Sequence, residues 1–250
     1  MKQIKILDCT LRDGGYVNNW NFGYSNIKSV IKNLSDGNLD YIECGFLKNI
    51  NYDLNKTLFQ QISDLEKFLP QKTNSKFTLM VNYGDIESSN ITECSNHNIA
   101  IRVAFKKEQY KNAIEFCKNL KLKGYDLFIN PMQTISYNKS EFLELLDDVN
   151  AIKPFTFTIV DTFGSMKHED VITLYDLADK NLDKDMNIGF HSHNNLKLSF
   201  SHAQNLLDKN SHRTLIIDTT IFGMGRGAGN ICTEHMTKYL NDNYEIIDNI

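Results

Sequence analysis

Short apolar runs alternate with longer amphipathic stretches along the whole chain. The first run opens at Ile4; others cover residues 39–46, 77–82, 99–105, 125–131, 155–160, 187–191 and 215–219. Each is continuously apolar, as expected of strands in a parallel sheet buried on both faces. Between them, apolar residues recur at helical spacing. Ser25 is the expected cap of a helix carrying Ile27, Val30, Ile31 and Leu34, with Gly37 as its stop. Further helices are expected over 58–69, more weakly over 85–95, and over 107–123. Asn138 and Glu141 have capping-box spacing ahead of Phe142, Leu145, Leu146 and Val149. The last helices are expected over 168–179, 196–207 and 230–240. Eight such units in 250 residues predict an α/β fold, a single closed (β/α)8 TIM barrel. A doubly wound open sheet is the rival, and no internal repeat is visible.

Composition narrows the function more than the fold. A formal charge of −4 leaves no basic footprint for nucleic acid. No apolar run approaches the roughly 18 residues of a membrane helix, and the opening residues 1–4 lead into the first strand without a signal-peptide core. The five cysteines are scattered and form no CxxC pair, which predicts reduced thiols and a cytoplasmic protein. Cys9 and Cys44 read as core thiols.

In a barrel the strand C-termini open on one face, and function gathers there. Polar residues fall at those ends. Arg12 and Asp13 close the first run, ahead of Gly14 and Gly15, whose freedom at positive φ suits a tight turn. Glu43 follows in the second run, Arg102 in the fourth and Asn130 in the fifth; Asp161 and Thr162 end the sixth. His191 and His193 end the seventh on one side of an extended chain. With Asp13 across the barrel mouth they form a candidate divalent-metal set. It has no thiolate, which favours Mn2+ or Mg2+ over structural zinc. Arg102, Asn130, Asp161, Thr162 and Arg226 are the substrate-binding candidates. The glycine-rich stretch 223–230 is not a dinucleotide loop, because no βαβ unit follows it; a mobile cover over the mouth is expected. His97, His168, His202, His212 and His235 read as surface residues, and Trp20 and Phe22 as rim packing.

Four pieces taken together, DCTLRDG at 8–14, IECGF at 42–46, HSHNN at 191–195 and GMGRGAGN at 223–230, resemble the DRE-TIM metallolyase superfamily. That group includes hydroxymethylglutaryl-CoA lyase, isopropylmalate and homocitrate synthases, and 4-hydroxy-2-oxovalerate aldolase. The resemblance spans the chain and implies one catalytic domain over 1–250. It implies Asp13, His191 and His193 as metal ligands, with Asn230 approaching the metal. It implies Arg12 as enolate stabiliser and Glu43 as the third member of the Asp-Arg-Glu set. One position departs. Tyr16 stands where the synthases carry Gln and the pyruvate aldolases His, so the acid/base histidine is absent. Tyr16 is the candidate replacement, with water as rival base; a phenol's ordinary pKa near 10 must fall for that role.

The expected reaction is a metal-dependent aldol cleavage of a 4-hydroxy-2-oxo acid through a pyruvate enolate. A Claisen-type acyl-CoA lyase or synthase is the first alternative, and a non-catalytic metal-binding barrel the second. The expected partner is a small-molecule 2-oxo acid, with no nucleic acid and no membrane; a homodimer stays open.

Overall fold

The computed structural model describes residues 3–244; the expectation about the chain's first residues falls partly outside them. The strands are β1 (Ile4–Asp8), β2 (Tyr41–Leu47), β3 (Leu58–Phe59), β4 (Lys76–Asn82), β5 (Ile99–Phe105), β6 (Leu127–Pro131), β7 (Thr156–Asp161), β8 (Asn187–Ser192) and β9 (Leu215–Thr219). Around them lie α1 (Tyr24–Asp36), α2 (Ile62–Glu66), α3 (Tyr110–Leu122), α4 (Lys139–Ile152), α5 (His168–Asn181), α6 (Ser199–Leu207) and α7 (Thr233–Tyr244). The strands pair in parallel in the order β1-β9-β8-β7-β6-β5-β4-β2, and β1 also pairs with β2. That last pairing closes the sheet into an eight-stranded TIM barrel and removes the open-sheet alternative. The two-residue β3 pairs with β2, outside the barrel.

Strand side chains alternate between the lumen and the helices. Leu7, Cys9, Tyr41, Ala100, Phe128 and Ile216 fill the lumen. Their neighbours Ile6, Ile42, Ile101, Leu127 and Ile217 join the larger apolar layer under the helices. Phase therefore decides which polar residue can reach the mouth. Arg102 follows Ala100 on the inward phase, Asn130 follows Phe128, and Asp218 follows Ile216. In β2 the register shifts between Glu43 and Phe46. Gly45 makes this possible: its φ is 150°, and a Cβ there would lie 2.0 Å from the Thr57 carbonyl oxygen. The bulge lets both Glu43 and Phe46 serve the lumen side.

Several expected elements are corrected. The helix expected over 58–69 is β3 followed by the single short helix α2, because Leu58 and Phe59 pair with Phe46 and Leu47. The weak helix over 85–95 is a 3-10 turn at Ser88–Asn90. Gly23, with φ 81°, is the N-cap of α1, not Ser25, while Gly37 does end that helix. The Asn138–Glu141 capping box is formed, each side chain bonded to the other's backbone N–H at 3.0 and 2.8 Å. Gly14 and Gly15 do not use positive φ. Gly15 instead admits the Trp20 ring, which a Cβ would meet at 2.1 Å.

Candidate metal and substrate site

The cavity at the C-terminal mouth of the barrel has a volume of about 90 Å3, room for about three waters or a compact oxo acid. Arg12, Asp13, His191 and His193 form its polar floor, and Phe46, Met80, Ala104, Met132 and Val160 an apolar wall; Tyr16, Asn130, Thr162 and Arg226 complete the lining.

Asp13 sits where several cationic or donor groups converge. Its Oδ2 lies 3.7 Å from the Nε2 of both His191 and His193, and its Oδ1 lies 3.2 Å from Arg12 Nη1. The three potential ligand atoms lie within 4.8 Å of one another and all three residues are buried. Burial pushes the Asp13 carboxyl up, but Arg12 and the two imidazoles outweigh it and hold it below the ordinary range. His193 is pushed down to about 4 by burial, with His191 and Arg12 adding to the effect and Asp13 opposing it. A neutral imidazole keeps the lone pair a metal needs.

His191 has an outer partner. Its Nδ1 lies 3.0 Å from Asp218 Oδ2, the carboxylate–histidine arrangement that orients metal-binding imidazoles. Asp218 also receives Arg102 Nη2. Arg102 Nη1 lies 3.2 Å from Glu43 Oε1, and Glu43 Oε2 accepts from Arg12 Nε at 2.7 Å. The charges thus form a closed circuit across the lumen: Asp13, Arg12, Glu43, Arg102, Asp218, His191 and back to Asp13. Three carboxylates face two guanidiniums, which leaves an excess negative charge when both imidazoles are neutral.

A divalent cation fits this site on three observations. The Nε2 atoms of His191 and His193 both face Asp13 Oδ2 at 3.7 Å. The excess charge is negative. The donors are oxygen and nitrogen, a set suited to Mn2+ or Mg2+. Cys9, His191 and Asp218 make a second close grouping. It suits a cation less well, since Arg102 already holds Asp218 and burial pushes the Cys9 thiol well up.

The 223–230 loop lies down on the site. Asn230 Nδ2 donates to Asp13 Oδ2 at 2.6 Å and to the Met224 carbonyl at 3.0 Å. Asn230 therefore turns its amide nitrogen, not its oxygen, toward the candidate metal set, and acts here as a donor to Asp13. Gly225 has no room for a side chain, because a Cβ would lie 2.1 Å from that nitrogen. Backbone bonds from Asn230 N to Gly223 O and from Asn194 N to Gly229 O tie the loop down. Gly229 is also closely packed, since a Cβ there would lie 1.9 Å from the Gly223 carbonyl oxygen, and Gly223, Gly227 and Gly229 all have positive φ.

The sequence candidates divide by position. Arg12, Asp13, Tyr16, Asn130, Thr162, His191, His193 and Arg226 reach the cavity. Glu43 lies behind Arg12, fully buried. Arg102 is fully buried beneath the floor; with the Asn130 amide turned so that its oxygen faces the guanidinium, Nη2 donates to that oxygen at 2.9 Å. Asp161 is absent from the lining. It lies on the outward phase beside Val160, and its carboxylate accepts from the Ser165 and Met166 amides at 3.0 and 3.2 Å. Tyr16 lines the cavity, and its ring packs edge-on against Trp20 at 4.9 Å. Trp20 and Phe22 pack as rim residues, with Trp20 Nε1 donating to the Arg12 carbonyl at 2.7 Å. His202 is corrected from surface to buried, against Phe190 and His168. Asp218 escaped notice in the sequence. Its signal was an acid inside the apolar strand LIIDT, on the lumen phase.

The closed parallel barrel thus carries a buried Asp-His-His candidate metal set at the C-terminal face of its strands. The chain matches the HMGL-like family over residues 3–244 and belongs to it. Among curated relatives, it is 22% identical to an oxaloacetate decarboxylase of Mycobacterium tuberculosis, covering 94% of this chain and 69% of the relative. It is 23% identical to a 4-hydroxy-2-oxovalerate aldolase of Pseudoalteromonas translucida, covering 99% and 74%. Among solved structures, the N-terminal domain of a candidate aldolase from Bacteroides vulgatus superposes with a TM-score of 0.81 at 28% identity, covering 98% of this chain and 82% of that one. An HMG-CoA lyase from Bacillus subtilis shares the fold, with a TM-score of 0.72 at 15% identity, covering 100% and 88%.

Proposed function

We propose that this chain is a divalent-metal-dependent carbon–carbon lyase, an aldolase acting on a 4-hydroxy-2-oxo acid through a pyruvate enolate. The observation that carries the reading is the position of Asp13, whose two oxygens face the guanidinium of Arg12 and the paired imidazoles at one small cavity. Asp13, His191 and His193 would hold a divalent ion, Mn2+ or Mg2+ in this reading, which would supply Lewis acidity to the carbonyl of a bound 2-oxo acid. Arg12 adds a donor where enolate charge develops, and Glu43 fixes its orientation before substrate arrives. Tyr16 takes the proton of the 4-hydroxyl as the C3–C4 bond breaks. That bond's electron pair enters the enolate, and the aldehyde leaves toward the apolar wall. Asn130, Thr162 and Arg226 contact the substrate from the rim.

A second reading is favoured by Arg226. It lines the cavity with its guanidinium 5.9 Å from the Tyr16 ring, and no ion pair to it is found among the described residues. A free cation at the mouth suits a second carboxylate. The same enolate then forms from a 2-oxo diacid by loss of CO2, a step that needs no proton acceptor.

One experiment tests the shared core. Deuterium exchange into the pyruvate methyl group, followed by NMR, is expected with Mn2+ present and is expected to stop on chelation. Exchange that ignores the metal would remove both readings. Release of CO2 from oxaloacetate against aldehyde from 4-hydroxy-2-oxovalerate then separates them.

A further inference from the structure

The floor of the cavity rests on two charged side chains that touch no substrate space. Arg102 and Asp218 lie inside β5 and β9, with 0% and 2% of their surfaces exposed. A buried ion pair is a poor source of stability, because desolvation takes back most of the attraction. Two well-packed apolar residues would serve the lumen as well, as Ala100 and Ile216 do one step below. The pair also leaves bonding capacity unused, since Arg102 Nε and Nη1 have no aligned hydrogen-bond acceptor among the described residues. What the pair does accomplish is orientation. Asp218 Oδ2 meets His191 Nδ1 at 3.0 Å, which places that nitrogen's proton between them and leaves Nε2 as the bare atom facing Asp13 and His193. Arg102 holds Asp218 with one nitrogen and faces Glu43 with the other, and Glu43 holds Arg12.

We propose that Asp218 is a positioning residue that presents His191 Nε2 to the cation, and that Arg102 couples this half of the site to the Arg12 half through Glu43. The proposal rests on the reading of Asp13, His191 and His193 as a cation site. Without the carboxylate, the imidazole is free to turn or to move its proton to Nε2, where it blocks the ligand. Lys at position 102 keeps the charge but is a point donor, unable to hold Asp218 and Glu43 in one planar fork.

Three measurements test this. In the metal-free wild-type protein, 15N NMR of His191 is expected to show Nδ1 protonated and Nε2 bare; the opposite tautomer would overturn the proposal whether or not any metal binds. Titration calorimetry with Mn2+ is expected to show affinity 10- to 100-fold weaker in Asp218→Asn, the range for losing such an outer partner. Equal affinity in the two proteins would reduce the pair to core packing. Should the wild type itself fail to bind Mn2+, the proposed function falls, and the tautomer result still decides the positioning. Should Asp218→Asn fail to fold, the Arg102→Lys variant takes its place. It is expected to bind Mn2+ more weakly and, at saturating Mn2+, to exchange pyruvate protons at least tenfold more slowly. Wild-type exchange in that variant would overturn the coupling to Arg12.

Discussion

Arg213, just before β9 at the N-terminal end of the barrel, and Arg102, inside β5 toward the other end, are both buried, and their surroundings differ in kind. Arg213 is saturated by the fold. Its Nε donates to Asp179 Oδ1 at 2.9 Å, its Nη1 to the carbonyls of Asp183 and Met186, and its Nη2 to those of Asp179 and Leu182. Those carbonyls include the ones left free where α5 ends, so the arginine closes that helix end. Arg102 meets acidic side chains, and those in turn face groups lining a cavity. Around it His193 Nδ1 and Asn230 Oδ1 are buried without hydrogen-bond partners among the described residues, while Glu43 Oε1 and Asp13 Oδ1 each meet a guanidinium nitrogen at 3.2 Å. One end spends its polar groups on backbone and holds the fold. The other keeps polar capacity in reserve, which is how a ligand site differs from a structural one.

The sharpest way to break this contrast is to delete one charge from each end. Asp13→Ala is expected to abolish Mn2+ binding in calorimetry and to leave melting of the chelated protein near that of the wild type. Arg213→Met is expected to do the reverse. It strands Asp179 and several carbonyls, at a cost of about 3–5 kcal/mol in chemical denaturation, while the folded protein keeps its Mn2+ affinity. If Asp13→Ala bound Mn2+ as the wild type does, the cation site would be lost. If Arg213→Met lost metal binding while still folded, the two ends would not be separable.

Smaller changes sharpen the picture within the cavity. Tyr16→Phe is expected to slow carbon–carbon cleavage by about 10² to 10⁴, the range for a positioned acid/base group, and to affect pyruvate exchange less. Cleavage at the wild-type rate across the pH profile would return Tyr16 to rim packing against Trp20 and make water the base. Arg12→Lys is expected to lose roughly 3 kcal/mol of transition-state stabilisation, the scale of one oxyanion donor, because Lys lacks the planar fork. Its Mn2+ affinity should stay close to that of the wild type; an unchanged rate would make Arg12 a mere partner of Asp13 and Glu43.

The sequence carried the barrel because each strand is a continuous apolar run with a polar residue at its end. It was least legible where pairing overrides local pattern. Leu58 and Phe59 sit in a stretch with helical spacing, yet the bulge at Gly45 offers them a strand edge. Phase is legible in the sequence: Val160 and Asp161 differ by one residue, and of the two the first lines the cavity. The same phase points Asp218 inward. The Asp13, His191 and His193 grouping was readable from spacing, because two strand ends of one barrel must meet at its mouth. The orientation of Asn230 was not, since it depends on the Met224 carbonyl within the folded loop.

The smallest expected effect lies outside the cavity, where the comparison of ends meets a third case. Asp8 is on β1, fully buried under α7. It accepts from the Thr10 amide at 2.9 Å and from the Thr233 hydroxyl at 2.6 Å. Burial raises its pKa from 3.8 to about 6, and these hydrogen bonds only partly oppose the rise. A raised folded-state value means the folded protein takes up the proton more readily than the unfolded chain. The stabilising contribution of Asp8 is therefore full below about pH 4 and is lost as pH rises through about 6. A rise of that size sets a ceiling of about 3 kcal/mol on the contribution. His193, pushed down to about 4, acts in the opposite sense over an overlapping window, so the wild-type profile alone does not isolate Asp8. The difference from Asp8→Asn does. An amide at position 8 can still accept from Thr10 and can donate to the Thr233 oxygen, while no longer burying a charge. After the weaker hydrogen bonds are counted, the variant is expected to be more stable at pH 7.5 by about 1 kcal/mol, a rise in Tm of about 2–4 °C. At pH 4.5 the gap should close, because both proteins then bury a neutral group. A variant less stable than the wild type at pH 7.5 by the same measure would show that Asp8 holds α7 to β1 as a carboxylate, and would place it with Arg213 among the groups the fold has saturated.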